Sequence, residues 1–307
     1  KVWQRHSPTM YLPHVWEDNS FRPVTDSATV SEVVSAVMGT GLDNTSRVID
    51  IWDRTFIRAR EVSGEVKRGE CSESDADKFF DRLLRMTVTC DDRILEIVKC
   101  HLSLDDLLEI RKRMIGTGLI GGKSVGMVVA RAILTNSDER WRDILEVHDS
   151  FYIGSDVFYT YIVENGCWRV RQKQRDPATF LDGVDEARES LLAGNFPDFI
   201  LSQFVELLDY FGQSPIIVRS SSLLEDNFGN AFSGKYESVF CVNQGTRRER
   251  LKAFLSAVRR VYASTMSREA LMYRLHRGLL DRDEQMALLV QRVSGAVYGN
   301  LFLPQIA

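Results

Sequence analysis

The sequence predicts an α+β or α/β architecture behind an all-α front segment, and three observations carry that expectation. From about Ser27 to Met114 the apolar residues recur at helical spacing. At Gly116 the composition shifts to a glycine-dense stretch that feeds an apolar helix. After Pro215, short β-rich runs alternate with long helical patterns. The expected organisation is an irregular arm over 1–26, a helical domain over 27–114 and a mixed domain over 115–307.

Within the front segment, residues 1–26 carry aromatics, prolines and histidines without a period. Thr29 to Met38 reads as a short apolar helix ended by Gly39 and Gly41. Arg47 to Glu61 places Val48, Ile51, Trp52, Phe56 and Ile57 on one helical face. Ser74 to Met86 and Asp92 to Cys100 continue the pattern. Ser103 with Asp106 resembles a capping box before Leu107 to Met114. No catalytic constellation stands out here, and the Cys100-His101 pair reads as helix-end packing.

In the mixed domain, Met127 to Leu134 is expected to be a helix, followed by a polar helical piece around Glu139 to Val147. Ser150 to Ile153 reads as a strand, and Gly154-Ser155-Asp156 opens a helix that runs to Val163. A turn follows at Glu164-Asn165-Gly166, then helices over Asp185 to Ala193 and Phe196 to Tyr210. Strand 216–219, loop 220–235, strand 236–242, helices 246–263 and 267–276 and strand 286–292 complete the order.

The bulk numbers exclude several classes. The chain has 307 residues, 44% hydrophobic and 27% charged, as an ordinary globular protein does. A net charge of -4 argues against a nucleic-acid partner, since no overall basic field attracts phosphate backbone. The densest basic run, Arg247 to Arg260, reads as a solvated helix face. Five cysteines without a CxxC pair read as reduced thiols, neither a disulfide framework nor a zinc site, and imply a cytoplasmic protein. No signal peptide or membrane span is visible, and no metal-ligating set is assigned. The chain starts at Lys1 without a methionine and stops in an apolar, strand-like run, which is read as a piece of a longer polypeptide.

Three stretches carry candidate chemistry. Gly116 to Gly126 contains Gly121-Gly122-Lys123, where glycines let backbone amides face an anion and a lysine supplies the charge at a helix start. It nearly matches the P-loop pattern, but Thr117 stands where the first glycine is required. A strand should also precede a P-loop, whereas Asp105 to Met114 reads as helix. A phosphate-binding lysine and an exposed lysine in a flexible linker both remain open. The second stretch runs from Arg219 through Ser220, Ser221 and Ser222 to Glu225, Asp226, Gly229 and Gly234. A strand-end arginine can hold phosphate bidentately, the hydroxyls can donate to it, and the small residues can close over it. The alternative is Arg219 paired with Glu225 or Asp226 in an ordinary loop. The third is Met286 to Val293, a buried strand whose Gln291-Arg292-Val293 end is either plain core or a hinge that reads an adenine edge.

In this order the three stretches resemble the ATP-binding domain shared by phosphoenolpyruvate synthase and pyruvate phosphate dikinase, relatives of rifampicin phosphotransferases and glucan water dikinases. Gly121-Gly122-Lys123 is similar to the family's lysine motif. Val218 to Ser221, Glu225-Asp226 and Ala231-Phe232-Ser233-Gly234 are similar to its Val-Arg-Ser-Ser, Glu-Asp and Ser-Phe-Ala-Gly elements. Glu237-Ser238 stands for its Glu-Thr, Tyr273-Arg274 for its Tyr-Arg helix, and Val290 to Val293 for its hinge without the methionine. A degenerate Asp149 to Gly154 stands for its Pro-Pro-Gly-Phe-x-Ile strand. The resemblance covers about Ile115 to Ala307.

The resemblance implies an ATP-grasp-type fold, with the first lobe and the start of the second in this chain. It implies that Lys123 and Arg219 bind phosphates and stabilise the transferring group. Gly122 and Ser220 would join them, Gly234 and Ser238 would belong to the covering loop, and Gln291, Arg292 and Val293 would line the adenine. It implies ATP and Mg2+ as cofactors, and a phosphoryl group passed to a carrier histidine and then to pyruvate or another acceptor. The family's downstream metal-binding carboxylate and its carrier-histidine motif are not in these 307 residues; His6, His14, His101, His148 and His276 lack that context. The front helices have no counterpart in the common synthase. Two other readings stand beside this one: a nucleotide-binding regulatory module without transfer chemistry, and an interaction protein whose helical segment binds a partner.

Overall fold

A computed structural model describes residues 51–146, 149–225, 234–299 and 301–304, together with the secondary structure of 14–17 and 20–23. The helix expected over Thr29 to Met38, Val48, His6, His148, Asp226, Gly229 and Ala231 to Ser233 lie outside the described residues. Part of the arm expected to be irregular is a hairpin of β1 (His14–Glu17) and β2 (Ser20–Pro23), paired antiparallel.

The described residues of the front segment form four helices: α1 (Ile51–Lys67), α2 (Glu73–Thr87), α3 (Asp92–His101) and α4 (Leu104–Lys112). Their starts follow local chemistry. The Asp91 side chain accepts from Arg93 N–H at α3, and Ser103 with Asp106 forms a reciprocal capping box at α4. Their apolar faces meet in a cluster that includes Trp52, Phe56, Leu83, Leu84, Leu107 and Ile110.

A five-stranded mixed sheet organises the rest. Its order is β3 (Met114–Ile115), β4 (Ser150–Ile153), β7 (Met286–Arg292), β5 (Ile216–Ser222) and β6 (Ser238–Cys241). Only the β3–β4 pair is parallel. The central strand β7 is buried along Met286 to Val290, as the sequence span 286–292 led one to expect. Side chains alternate between two cores, as the pleat requires. Leu288, Val290, Ile216, Val218, Ile153 and Ile115 face one side, and Leu289, Tyr152 and Met114 the other.

The second side is covered by α5 (Gly122–Ser137), whose Val125 and Val129 join the cluster of the front helices. The first side is covered by α7 (Ser155–Glu164), α9 (Val184–Ala193), α10 (Asp198–Phe211), α11 (Arg247–Ser264) and α12 (Arg268–His276). The protein is therefore an α+β fold with one sheet between two helical layers. Short helices α6 (Arg140–Ile144) and α8 (Trp168–Lys173) lie in connections, and β8 (Gly295–Tyr298) pairs with β9 (Leu301–Pro304) in a separate hairpin.

Two further sequence expectations change. A strand does precede the glycine-rich turn, since the chain leaves α4 at Arg113 and pairs Met114 and Ile115 with Tyr152 and Ile153. Two residues carry no period, so only their distant partners make them a strand. The case against a P-loop then rests on the glycine spacing alone. The basic run on α11 is also less solvated than expected. Arg250 donates to the carbonyls of Leu208 and Gly212, and Arg259 donates to that of Gly194. These arginines pin α11 to the end of α10 and to the turn after α9.

Candidate nucleotide site

The first candidate stretch and the second come together at the end of β5. Strand β3 leads into a turn through Gly116 and Gly118, and α5 begins at Gly122. Gly121 has a φ of 80°, and a Cβ there would lie 1.4 Å from the carbonyl oxygen of Ser221. No other residue type permits this approach of backbone to backbone. A Cβ at Gly122 would meet the Glu225 carbonyl at 2.5 Å, so the pair of glycines is shaped to seat the helix start on β5.

That seat is held by serines. The Ser221 hydroxyl donates to the Ile120 carbonyl at 2.8 Å and accepts from the Ser124 N–H at 3.0 Å. A serine from a strand thus satisfies an amide in the first turn of α5, whose own cap residue has no side chain. Lys123 then projects to Glu225, 2.5 Å away, and to the Ser220 hydroxyl, 3.0 Å away. The lysine side chain is 23% exposed and the glutamate 3%. Glu225 also accepts from the Ser220 hydroxyl and the Ser222 N–H, both at 3.0 Å. Burial pushes its carboxyl above the usual range, and the Lys123 charge opposes that push. Glu225 thus pairs with Lys123 and not with Arg219, the partner that the alternative reading offered it.

Arg219 sits one residue before the serines, half-buried, with Ser238 as its ladder partner on β6 and Leu289 on β7. Among the described residues its guanidinium donates one side-chain hydrogen bond, a long 3.4 Å contact to Gln291 Oε1. Gln291 in turn donates to Ser150 Oγ at 3.4 Å and approaches Met127 Sδ at 3.1 Å. The Arg292 guanidinium pairs with Asp149 at 2.6 Å, and the backbone N–H groups of Arg292 and Val293 donate to the carbonyls of Asp149 and Pro215. These two amides, candidate readers of a base edge, are therefore engaged within the sheet. Gly234 has a φ of 72° in open space where the chain re-enters the described residues.

Sequence reasoning missed a second buried carboxylate. Glu284, fully buried, accepts from the hydroxyls of Ser222 and Tyr236, and Arg274 Nη1 lies 3.8 Å from it. Burial raises the Tyr236 phenol well above its usual range, reinforced by the Glu284 charge. Burial also lowers the Arg274 guanidinium, a shift that Glu284 opposes. The only sequence signal was an acidic residue two positions before a strand that opens on five apolar residues.

A cleft of about 350 Å³ opens elsewhere, between α3, α4 and α5, and none of the residues assigned to the site lines it. Its charges already have partners. Asp106 caps α4, Glu109 pairs with Lys112, Arg131 donates to the Glu146 carbonyl, and Arg113 reaches Asp149 and Tyr210. The chemistry concentrates instead where Lys123, Glu225 and the serines meet, at the end of the strand that carries Arg219.

Among the described residues no helix is long and apolar enough to cross a membrane, and no group of three His, Cys, Asp or Glu could hold a metal ion. No curated protein matches the sequence. The family described as "Pyruvate phosphate dikinase, AMP/ATP-binding domain" matches residues 117–300, a span that begins in the glycine-rich turn before Lys123 and ends after β8. With more than half of its length so matched, the chain belongs to the pyruvate phosphate dikinase AMP/ATP-binding domain family.

Proposed function

We propose that this chain supplies one side of an ATP clamp of the ATP-grasp type, in which Lys123 and Arg219 bind the phosphates. The observation that carries this reading is the meeting of two sequence motifs about a hundred residues apart. Lys123 reaches Ser220 and Glu225 at the end of the strand that presents Arg219. The donor set suits a polyphosphate: a lysine as point charge and an arginine as a fork, with Ser220 beside the lysine. Gly122 lets the helix start approach, Gly234 and Ser238 flank the phosphates, and Gln291, Arg292 and Val293 line the base.

On this reading a phosphoryl group of ATP moves to a carrier histidine and then to pyruvate or another acceptor. Lys123 and Arg219 offset the charge that spreads over the transferring group. Mg2+ would accompany ATP as a counter-ion of its phosphates. The described residues hold no group of three His, Cys, Asp or Glu for it. The mixed domain over 115–307 is the catalytic partner, and the described helices of 27–114 pack against its α5 and sheet.

The test is calorimetric titration of ATP with Mg2+ into the wild type, Lys123→Ala and Arg219→Ala. Each substitution is expected to weaken binding about tenfold or more, the loss of one charge-assisted contact. Undiminished affinity in both variants would overturn the site assignment.

A further inference from the structure

The three-serine end of β5 is gripped by two buried carboxylates rather than one. Period-two alternation puts Ser220 and Ser222 on the same face of the strand. Glu225 takes the Ser220 hydroxyl and the Ser222 N–H, and through its other contact holds Lys123. Glu284 takes the Ser222 hydroxyl and the Tyr236 hydroxyl. An unbroken path of hydrogen bonds, joined through the covalent frame of Ser222, therefore runs from Lys123 through Glu225, Ser222 and Glu284 to Tyr236. Tyr236 lies between Gly234 and Ser238, the segment assigned to cover the phosphates.

The chain that carries Glu284 is itself fixed. Arg274 Nη2 donates to the carbonyls of Leu279 and Arg282, at 3.4 and 2.8 Å, and Arg171 Nη2 donates to the Glu284 carbonyl at 3.2 Å. Stability alone accounts poorly for this arrangement. Desolvating a carboxylate and a guanidinium costs more than a 3.8 Å contact returns, and an apolar pair of similar volume often does as well. What the buried charges provide is a fixed geometry between three separate chain segments.

We infer that Glu284 is a positioning residue of the nucleotide site: through Ser222 and Tyr236 it holds the Gly234–Ser238 segment in register with Lys123, without touching the nucleotide. The inference rests on the ATP reading above.

The experiment uses the full-length protein and three variants: Tyr236→Phe, the double variant Glu284→Gln/Arg274→Met, and Lys123→Ala. Tyr236→Phe removes one hydroxyl tether at constant shape. Without nucleotide, its melting temperature is expected to stay within about 4 °C of wild type, while amide exchange across 234–238 accelerates about tenfold. Its ATP affinity is expected to fall about tenfold, as a lost hydrogen bond to a charged group implies. The double variant removes the buried charges together. Its melting temperature is expected to fall as well, since the Leu279 and Arg282 carbonyls lose their Arg274 donor, with ATP affinity still reduced about tenfold.

Wild-type ATP affinity in Tyr236→Phe overturns the inference, whether or not exchange accelerates. Should the double variant not fold, Tyr236→Phe decides alone. ATP binding that Lys123→Ala abolishes and Tyr236→Phe leaves intact sinks this inference and spares the site reading. Absence of ATP binding by the wild type sinks both.

Discussion

The two cations of the candidate site are held in opposite ways. Lys123 is locked: a glycine seat sets its helix, Ser221 caps the first turn, and a buried carboxylate neutralises its charge. Arg219 is held less closely among the described residues, with one 3.4 Å side-chain hydrogen bond, to Gln291. A locked group gives its energy to the fold and arrives pre-oriented, whereas a loose group keeps its donors for a ligand. Mutations at the Lys123 end should therefore appear first as stability, and those at the Arg219 end first as binding.

The largest effect is expected at Glu225. Glu225→Ala leaves Lys123 and the Ser222 N–H without their acceptor, and breaking such a buried pair costs about 3 to 5 kcal/mol. Chemical denaturation measures it, and a cost below about 1 kcal/mol would show that the pair is not locked. Next comes the glycine seat. Gly121→Ala forces the helix start away from Ser221 and should cost about 3 kcal/mol. Gly234 shares a positive φ but has open space around it, so Gly234→Ala should cost only about 1 kcal/mol. Equal costs at the two glycines would remove the distinction between the two ends.

The turn that delivers Lys123 adds a pH signature. Asp156 accepts from the Thr117 N–H at 2.7 Å, and burial raises its carboxyl from 3.8 to about 6, with that hydrogen bond opposing the rise. A raised folded pKa means that the folded protein binds the extra proton. Its contribution is complete below about 3.8 and is lost as pH climbs through about 6. Stability should fall across that window by at most about 1.4 kcal/mol per pH unit. Asp156→Asn should flatten the fall. A wild-type stability that rises from pH 4 to 6 at this site, judged by difference from Asp156→Asn, would contradict the burial.

How much of this was legible in the sequence follows the same division. Long periodic elements were legible: β7 and α11 fall within a residue of where period and capping place them, and the Ser103–Asp106 box is as read. The candidate cations stood out because a lysine after glycines and an arginine at a strand end are local patterns. Their partners were not. Glu225 joins Lys123 across 102 positions, and Glu284 joins Ser222 across 62 and Tyr236 across 48. No local pattern announces which distant acid closes on which donor. Strand β3 was missed for the same reason, since two residues become a strand only when Tyr152 and Ile153 lie beside them.

The smallest stability effect is the most discriminating. Gln291→Ala removes the one side-chain hydrogen bond found for Arg219 among the described residues, and at 3.4 Å between half-buried groups it should cost at most about 1 kcal/mol. Arg219→Ala should cost no more than that. If Arg219 serves a ligand, the two substitutions part company once ATP is added. Arg219→Ala should lose affinity about tenfold, whereas Gln291→Ala should lose less, because the guanidinium it frees can still reach a phosphate. Equal losses would mean that Gln291 aims Arg219 and that this end, too, is pre-organised. Unchanged affinity in Arg219→Ala, beside a loss in Lys123→Ala, would leave the locked cation as the one that meets the nucleotide.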